Sequence, residues 1–321
     1  MNCLKTALAK GLRKPPVAEF NMNEHKPKRT VRQQILWWWN TRIKSLWTVK
    51  LAAKMNAHGG TEIGFTTAAP ELPDPSDNGI TAILTVYKRG QYVRAQIEAL
   101  RNQSVPPDEI WVWTNQADVA LEDYSDLADR VVVSNSNWKF WGRFALANMV
   151  RTRYVCLLDD DILPQPNWFK NCINTIDAGH NGILGGSGVL LPAEGGYSSK
   201  HKVGWNGHHH NSVTEVDLVG HAWFFNKQLL HYMWIEQPHS WENGEDIHFS
   251  AMALKHGGIK TFVPPHPETD ASVWSCRPDF GKAVGRTSTA TYKAGGHHTV
   301  RDNVVDAARA GGWKIVADRN S

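Results

Sequence analysis

The stretch Tyr154-Val-Cys-Leu-Leu-Asp-Asp-Asp-Ile162 decides the fold class of this chain. Five residues of strand-like apolar character, Tyr154 to Leu158, run directly into three consecutive carboxylates at 159–161. A continuous apolar run of this kind is typical of a strand buried on both faces, as in a parallel sheet. Ligands bind beyond the carboxyl ends of strands in open α/β sheets, so carboxylates delivered there favour a metal site. From this stretch alone, a solvated acidic turn closed by Pro164 is an equal alternative.

Composition places the chain among globular proteins, with room for one large domain or two small ones. Of its 321 residues, 41% are hydrophobic and 21% are charged, which is ordinary for that class. The 15 tryptophans are not ordinary. Such an excess suits a sugar-stacking surface or a membrane interface, and it also suits an aromatic core.

Positive charge is concentrated at the N-terminus. Residues 1–60 hold 12 of the 35 Lys and Arg residues and 2 of the 31 acids, which leaves 23 and 29, so the arm carries +10 and the remainder −6. We expect a basic extension over 1–76, with a Trp-rich amphipathic helix that contacts an anionic membrane surface through residues 35–55. A helix packed on the protein's own body is an equal alternative. The remainder carries no nucleic-acid-binding pattern, so we expect no nucleic acid partner.

Cysteine usage indicates a reducing compartment. Cys3, Cys156, Cys172 and Cys276 form no CxxC pattern and no dense framework, so we expect reduced thiols. The sequence has no apolar run of about 18 residues that would cross a membrane, and its N-terminus lacks the apolar segment of a signal peptide. We therefore expect a cytoplasmic protein with peripheral membrane attachment through the basic arm.

Strand and helix patterns alternate from residue 80 onward, which predicts a parallel α/β sheet with right-handed crossovers. The predicted strands are 80–86, 109–113, 130–134, 154–158, one starting at 182, 216–225 and 258–263, and the predicted helices are 91–102, 144–151, 167–177 and 245–255. Residues 192–212 and the tail after Pro264 are predicted to be mostly loop.

Short motifs follow one another in an informative order: Thr85-Val-Tyr-Lys-Arg89, Thr114-Asn-Gln116, Trp141-Gly-Arg-Phe144, Leu158-Asp-Asp-Asp161 and Asn243-Gly-Glu-Asp-Ile247. This order resembles the nucleotide-sugar-dependent glycosyltransferases of the GT-A fold, in the family-2-like group, and in part the exostosin-type glycosyltransferase domains. The resemblance implies a GT-A catalytic domain over 77–265, with a Rossmann-like, mostly parallel sheet flanked by helices. The basic extension would precede it, and a loop-rich segment over 266–321 would close over the active site.

The Asp-x-Asp motif of that family falls on Asp159 and Asp161. By the resemblance, Asp159 contacts the ribose and Asp161 the metal ion, with Asp160 beside them and Asp159 as a further metal contact. Mg²⁺ or Mn²⁺ prefers oxygen ligands, and one or two carboxylates plus substrate phosphates suffice. The resemblance therefore implies a nucleoside-diphosphate sugar as donor and one of these ions as cofactor. Some GT-A enzymes recruit a late histidine as an additional ligand, which makes His266 or His298 a candidate.

Glu245 and Asp246 match the Glu-Asp pair of the same family at a helix start. A general base must take the proton from the acceptor hydroxyl as its oxygen attacks the anomeric carbon. We predict Asp246 as the base and Glu245 as the acceptor-binding residue, with exchanged roles as the alternative. Taken alone, acidic residues at this position are more typical of helix N-terminal capping.

Further residues fall where relatives hold the donor. Thr85, Tyr87 and Arg89 match the region that contacts base and ribose, and Arg143 matches an arginine directed at the nucleotide or diphosphate. Asn115 stands where many family-2 members carry an acidic residue that reads uracil, which leaves the base open.

The apolar stretch around 220–225 is the region that relatives use to shape the sugar pockets. His221 and Trp223 are therefore candidates for contact with the donor or acceptor sugar. A hydrogen-bonded core histidine is an equal alternative for His221.

The predicted function is metal-dependent transfer of a sugar to a hydroxyl of a glycan or lipid-linked acceptor, in polysaccharide or glycoconjugate synthesis. A nucleotidyltransferase acting on sugar phosphates is the enzymatic alternative, although residues 87–90 are no Gly-rich phosphate loop. A non-catalytic carbohydrate-binding module, suggested by the tryptophan content, is the other alternative.

Overall fold

The computed structural model describes residues 79–87, 89–116, 124–285 and 296–319. The predicted basic extension, including the membrane-contacting segment 35–55, lies outside the described residues. Among the described helices, none has the length and apolar character needed to cross a membrane.

Four parallel strands form one half of the sheet and place the acidic stretch at its centre. β1 (Ile80–Val86) pairs with β2 (Glu109–Asn115) and β4 (Tyr154–Leu158), and β3 (Arg130–Ser134) pairs with β2. All three pairings are parallel, so the carboxyl ends of these strands lie at one edge. Every residue of β4 is buried, as the apolar run predicts.

Mainly antiparallel pairing extends the sheet beyond β4. The further strands are β5 (Ile183–Leu190), β6 (His201–Gly204), β7 (Thr214–Val216), β8 (Leu218–Asn226) and β9 (Thr261–Val263). Their order along the sheet is β3-β2-β1-β4-β8-β5-β9-β7, with β6 paired to β5. β8 runs antiparallel to β4, so the start of β8 reaches the edge where the parallel strands end.

Helices cover both faces of the sheet. The described helices are α1 (Val93–Arg101), α2 (Gly142–Ala147), α3 (Trp168–Asp177), α4 (Glu245–Gly257), α5 (Pro278–Gly285), α6 (His297–Ala310) and α7 (Val316–Arg319). Alternate residues of β1 pack in separate hydrophobic cores, because successive side chains of a strand point to opposite faces. Leu84 packs in the cluster that contains Ile97 of α1 and Phe169 of α3. Ile83 packs in the cluster that contains Phe144 of α2 and Phe249 of α4.

Helix α4 begins and ends where the sequence predicts a start and a stop. Gly258 follows the helix with φ of +64°, a left-handed conformation that glycine adopts without steric cost. The predicted stop at Gly257-Gly258 is confirmed. Buried Cys156, Cys172 and Cys276 are free thiols, as predicted, and burial raises the pKa of Cys276 to about 12.

The loop predictions are wrong in two places. Residues 192–212 contain a short 3-10 turn, Tyr197–Ser199, and strand β6. The tail after Pro264 carries α5, α6 and α7 among its described residues. The cause in the tail is burial of apolar side chains: Val304 and Val305 of α6 enter a third core cluster with Leu218 and Ile247.

Candidate active site

An arginine compensates the negative charge of the acidic stretch at the carboxyl edge of β1 and β4. Arg89 Nη2 lies 3.0 Å from Asp160 Oδ1, and its Nη1 lies 3.1 Å from Asp161 Oδ2. The guanidinium offsets the repulsion among adjacent carboxylates. Arg89, predicted to contact base and ribose, therefore lies against Asp161, a predicted metal ligand, and against its neighbour Asp160.

Arg143 joins the two acidic motifs of the sequence. It is 2% exposed in the first turn of α2, and it forms ion pairs with Asp159 through Nη1 and with Glu245 Oε1 through Nη2, the latter at 2.9 Å. Burial acts to lower the pKa of Arg143, but the carboxylates of Asp159 and Glu245 outweigh it and raise that pKa. The structure thus brings the acidic strand end and the later acid pair into one site.

The acid pair opens α4 and is almost completely enclosed. Glu245 is 4% exposed and Asp246 is 7% exposed. Asp246 Oδ1 accepts a hydrogen bond from the backbone N–H of Ile247 at 2.9 Å. Glu245 Oε2 is buried and has no hydrogen-bond partner among the described residues. Burial, and after it the neighbouring charge of Asp246, raises the pKa of Glu245 to about 7.

A second buried arginine, Arg301 of α6, holds the other member of the pair. Its Nη2 lies 2.6 Å from Asp246 Oδ2. The sequence prediction missed this residue, although its spacing carried a signal. Arg301 shares the helical period of Val304, Val305 and Ala308, so a charge on the apolar stripe of a helix pointed inward.

His221 lies beside the acidic stretch and is half-buried. Its backbone has φ of +78°, and its ring stacks on Trp205 with centroids 5.3 Å apart. Nε2 is buried without a hydrogen-bond partner in the described part of the chain. Burial lowers the pKa of His221, and Asp161 and Asp159 oppose that shift. Within the described part of the chain, Nε2 therefore lacks the partner that a hydrogen-bonded core histidine would have there, and contact of His221 with a sugar stays a prediction.

Trp223, in contrast, offers no open face to a sugar. It is 2% exposed, and the Arg143 guanidinium carbon lies 4.3 Å from its ring centroid. Phe144 packs edge-on against it at 5.9 Å. Because it belongs to the core below Arg143, Trp223 supports that arginine instead of contacting a sugar, contrary to the prediction.

Asn115 likewise acts on the protein itself. Its Nδ2 donates to Asn137 Oδ1 and to the carbonyl of Lys139, both at 3.0 Å, and its Oδ1 accepts from the N–H of Trp138 at 2.7 Å. These bonds hold the loop that leads into α2. Both amide protons of Asn115 are thus engaged within the protein, and its contact with a nucleotide base stays a prediction.

Thr85 and Tyr87 remain candidates for the nucleotide. Both lie at the end of β1, at the edge that carries the acidic stretch. Thr85 Oγ1 is buried without a hydrogen-bond partner among the described residues.

The late histidines do not join the predicted metal site. His298 is exposed at the start of α6, beside Tyr197. His266 stacks on Trp274 and on His209, with centroids 4.7 and 5.2 Å apart. Over residues 79–87, 89–116, 124–285 and 296–319, no group of three His, Cys, Asp or Glu side chains is arranged to hold a metal ion. A cation here would therefore rely on carboxylates and on ligands from a substrate.

The raised pKa of Glu245 predicts a specific pH dependence of stability. Its folded pKa of about 7 exceeds the reference value of 4.5, so its contribution is fully present below pH 4.5 and is lost as pH rises through 7. In urea titrations with EDTA, we expect the unfolding free energy of the wild type to fall, relative to Glu245→Gln, between pH 5 and 8. Glu242→Gln, which changes an exposed partner of Lys139, is the control. Parallel curves for wild type and Glu245→Gln would contradict the assignment.

Comparison with known proteins gives one family and several solved structures. Residues 81–231 match the family described as Glycosyl transferase family 2. The chain is similar to TarS of S. aureus at 16% identity, over 58% of this chain and 36% of TarS, with a TM-score of 0.43. The fragment TarS 1–349 in complex with UDP matches at 17% identity, over 58% and 57% of the two chains, with the same TM-score. The chain thus spans less than two thirds of the length of these proteins. No curated protein matches it.

Proposed function

We propose that the chain transfers a sugar from a nucleoside-diphosphate sugar to a hydroxyl group, since residues 81–231 match the family described as Glycosyl transferase family 2. The acceptor that we propose is a glycan or a lipid-linked saccharide, in polysaccharide or glycoconjugate synthesis. Residues 35–55 remain our proposed contact with an anionic membrane, where a lipid-linked acceptor would reside.

The bridge made by Arg143 is the observation that carries this proposal. It places Asp159, at the end of β4, and Glu245, at the start of α4, on one guanidinium. A transferase needs acidic residues for the donor and a base for the acceptor within one site, because the two substrates react with each other. Two acidic motifs 86 residues apart in sequence (159 to 245) meet that requirement here.

The proposed reaction assigns a proton and an electron pair to named groups. The acceptor oxygen forms a bond to the anomeric carbon while the bond from that carbon to the diphosphate oxygen breaks. The hydroxyl proton passes to the carboxylate of Asp246, and the bonding electron pair leaves with the nucleoside diphosphate. Arg89 and Arg143 provide fixed positive charge near that leaving group.

The carboxylates at the strand end fit a hard divalent cation. Their oxygens are the donor type that Mg²⁺ and Mn²⁺ prefer, and the side chains of Asp159 and Asp161 are 33% and 20% exposed. Asp161, with Asp159, would hold the ion together with the substrate phosphates. When bound, the ion would stabilise the negative charge of the departing diphosphate.

Calorimetric titration of nucleoside diphosphates tests the donor half of this proposal. We expect one of UDP, GDP, CDP or dTDP to bind the purified full chain in the presence of Mn²⁺ or Mg²⁺. Binding should weaken on addition of EDTA, since the carboxylates then face the phosphates without a cation. If none of the four binds with or without metal, the proposal is wrong.

A further inference from the structure

We propose that Arg301 is a positioning residue for the base Asp246, so that α6, outside the matched family region, completes the active site. This inference rests on the proposed function. Arg301 follows the last residue of that region by 70 positions. It reaches the acid pair only because α6 packs across the start of α4.

Contacts around α6 fix the direction of the guanidinium. Arg301 Nη2 donates to Asp246 Oδ2 at 2.6 Å, and the two side chains are 7% and 9% exposed. The guanidinium carbon also lies 4.0 Å from the ring centroid of Tyr197, at face-contact distance for a cation on an aromatic ring. With Ile247 on its other oxygen, Asp246 has both oxygens held.

The Tyr197 turn is itself fastened to α6. Asp302, the residue after Arg301, accepts hydrogen bonds from the N–H and the hydroxyl of Ser198 at 2.8 and 2.6 Å. Tyr197 is therefore kept under the guanidinium by its neighbour in sequence. Helix α6 is thus joined to its surroundings twice, by the ion pair of Arg301 and by the hydrogen bonds of Asp302. A helix with only a packing role would not require both.

A glycine at the start of α4 allows the helices to approach. Gly244 has φ of +91°, and a Cβ added there would lie 3.1 Å from a methyl carbon of Val304. A side chain at 244 would therefore require Val304 of α6 to shift by a few tenths of an ångström. Gly244 thus leaves room for α6 beside the start of α4, where α6 contributes the arginine.

Each carboxylate of the pair consequently has its own arginine. Arg143 holds Glu245, and Arg301 holds Asp246. Adjacent carboxylates in a buried site disfavour each other's ionised form, and a separate cation for each counters that effect. The other charged or titratable groups that face Asp246 are Glu245 of α4, Tyr197 and Lys200 of the β5–β6 connection, and His297 of α6.

Arg301→Gln tests this role through kcat, nucleotide affinity and the pH profile. Nucleoside diphosphate release from a donor that the wild type turns over should fall about 100-fold in kcat, the order expected for a misplaced catalytic group. The affinity for the nucleoside diphosphate should stay unchanged. The acidic limb of the kcat/KM profile should move to higher pH, since losing a cation disfavours an ionised carboxylate. Arg301→Lys should restore part of kcat and return the limb toward its original position.

Two further variants keep the inference open to refutation. Arg309→Gln removes a cation from the same helix, whose partner is Asp318 at 3.1 Å, and should match the wild type. Tyr197→Leu removes the ring below the guanidinium and should lower kcat with unchanged nucleotide affinity. This variant tests the inference if Arg301→Gln does not fold. The inference about Arg301 would be wrong if Arg301→Gln kept the wild-type kcat and pH profile, or if Tyr197→Leu kept the wild-type kcat. Either result would leave the proposed function standing. A wild type that releases no nucleoside diphosphate overturns the proposed function and the inference together.

Discussion

Asp246→Asn is expected to lower the rate of sugar transfer about 10²- to 10⁴-fold, the usual contribution of a general base. Asparagine has nearly the same shape and can still accept the hydrogen bond from Arg301, but it cannot take a proton from the acceptor hydroxyl. The change should therefore appear in kcat, measured as nucleoside diphosphate release, while calorimetric affinity for the nucleotide stays at the wild-type value.

Glu245→Gln is the matched comparison for the base assignment. Glu245 also opens α4, and its Oε2 has no hydrogen-bond partner among the described residues, so it is the acid with an open position. If Asp246 is the base, Glu245→Gln should chiefly raise KM for the acceptor and reduce kcat less than Asp246→Asn does. A larger kcat loss in Glu245→Gln would exchange the two roles.

Arg143→Met is expected to destabilise the protein by about 3–5 kcal/mol, because breaking a buried ion pair from one side leaves uncompensated buried charge. Here one substitution strands two carboxylates, those of Asp159 and Glu245. Urea unfolding measures the loss. The double variant with Glu245→Gln should recover part of it, since one stranded charge is then removed.

A surface arginine provides the control for that experiment. Arg130 lies 3.6 Å from Glu109 and is 59% exposed, and its guanidinium covers the ring of Trp111 at 5.6 Å. Arg130→Met should change the unfolding free energy by no more than about 1 kcal/mol. Equal effects of the two substitutions would show that Arg143 is not the buried link between the acidic motifs.

Local pattern was enough to predict the strands that carry the site. β1, β3 and β4 have the predicted bounds. For β1 and β4 the reason is that an apolar run buried on both faces leaves little choice of where pairing stops. Helix α2 runs from Gly142 to Ala147, whereas the prediction placed it over 144–151 with Arg143 in the motif at its start. The burial of Arg143 could not be predicted from the sequence, because the two carboxylates that compensate its charge come from other segments of the chain.

Two kinds of contact could not be predicted from the sequence: those made by the helices after Pro264, and hydrogen bonds that polar side chains form within the protein. Arg301 reaches Asp246 across 55 positions, and only packing of α6 on α4 creates that proximity. Asn115 occupies the position expected of a nucleotide contact, yet the loop before α2 uses its amide. The position of a residue in a motif indicates where its side chain lies. Which ligand that side chain can bind depends on its hydrogen-bond partners within the protein.

Phosphorus NMR of the products tests the central claim most directly. The purified full chain would be incubated with Mn²⁺ and a panel of UDP-, GDP- and dTDP-sugars, with and without saccharide acceptors, beside Asp246→Asn. The account predicts resonances of a nucleoside diphosphate from at least one donor with the wild type, and a much slower appearance with the variant. Release of pyrophosphate, or no nucleoside diphosphate from any donor, would contradict it.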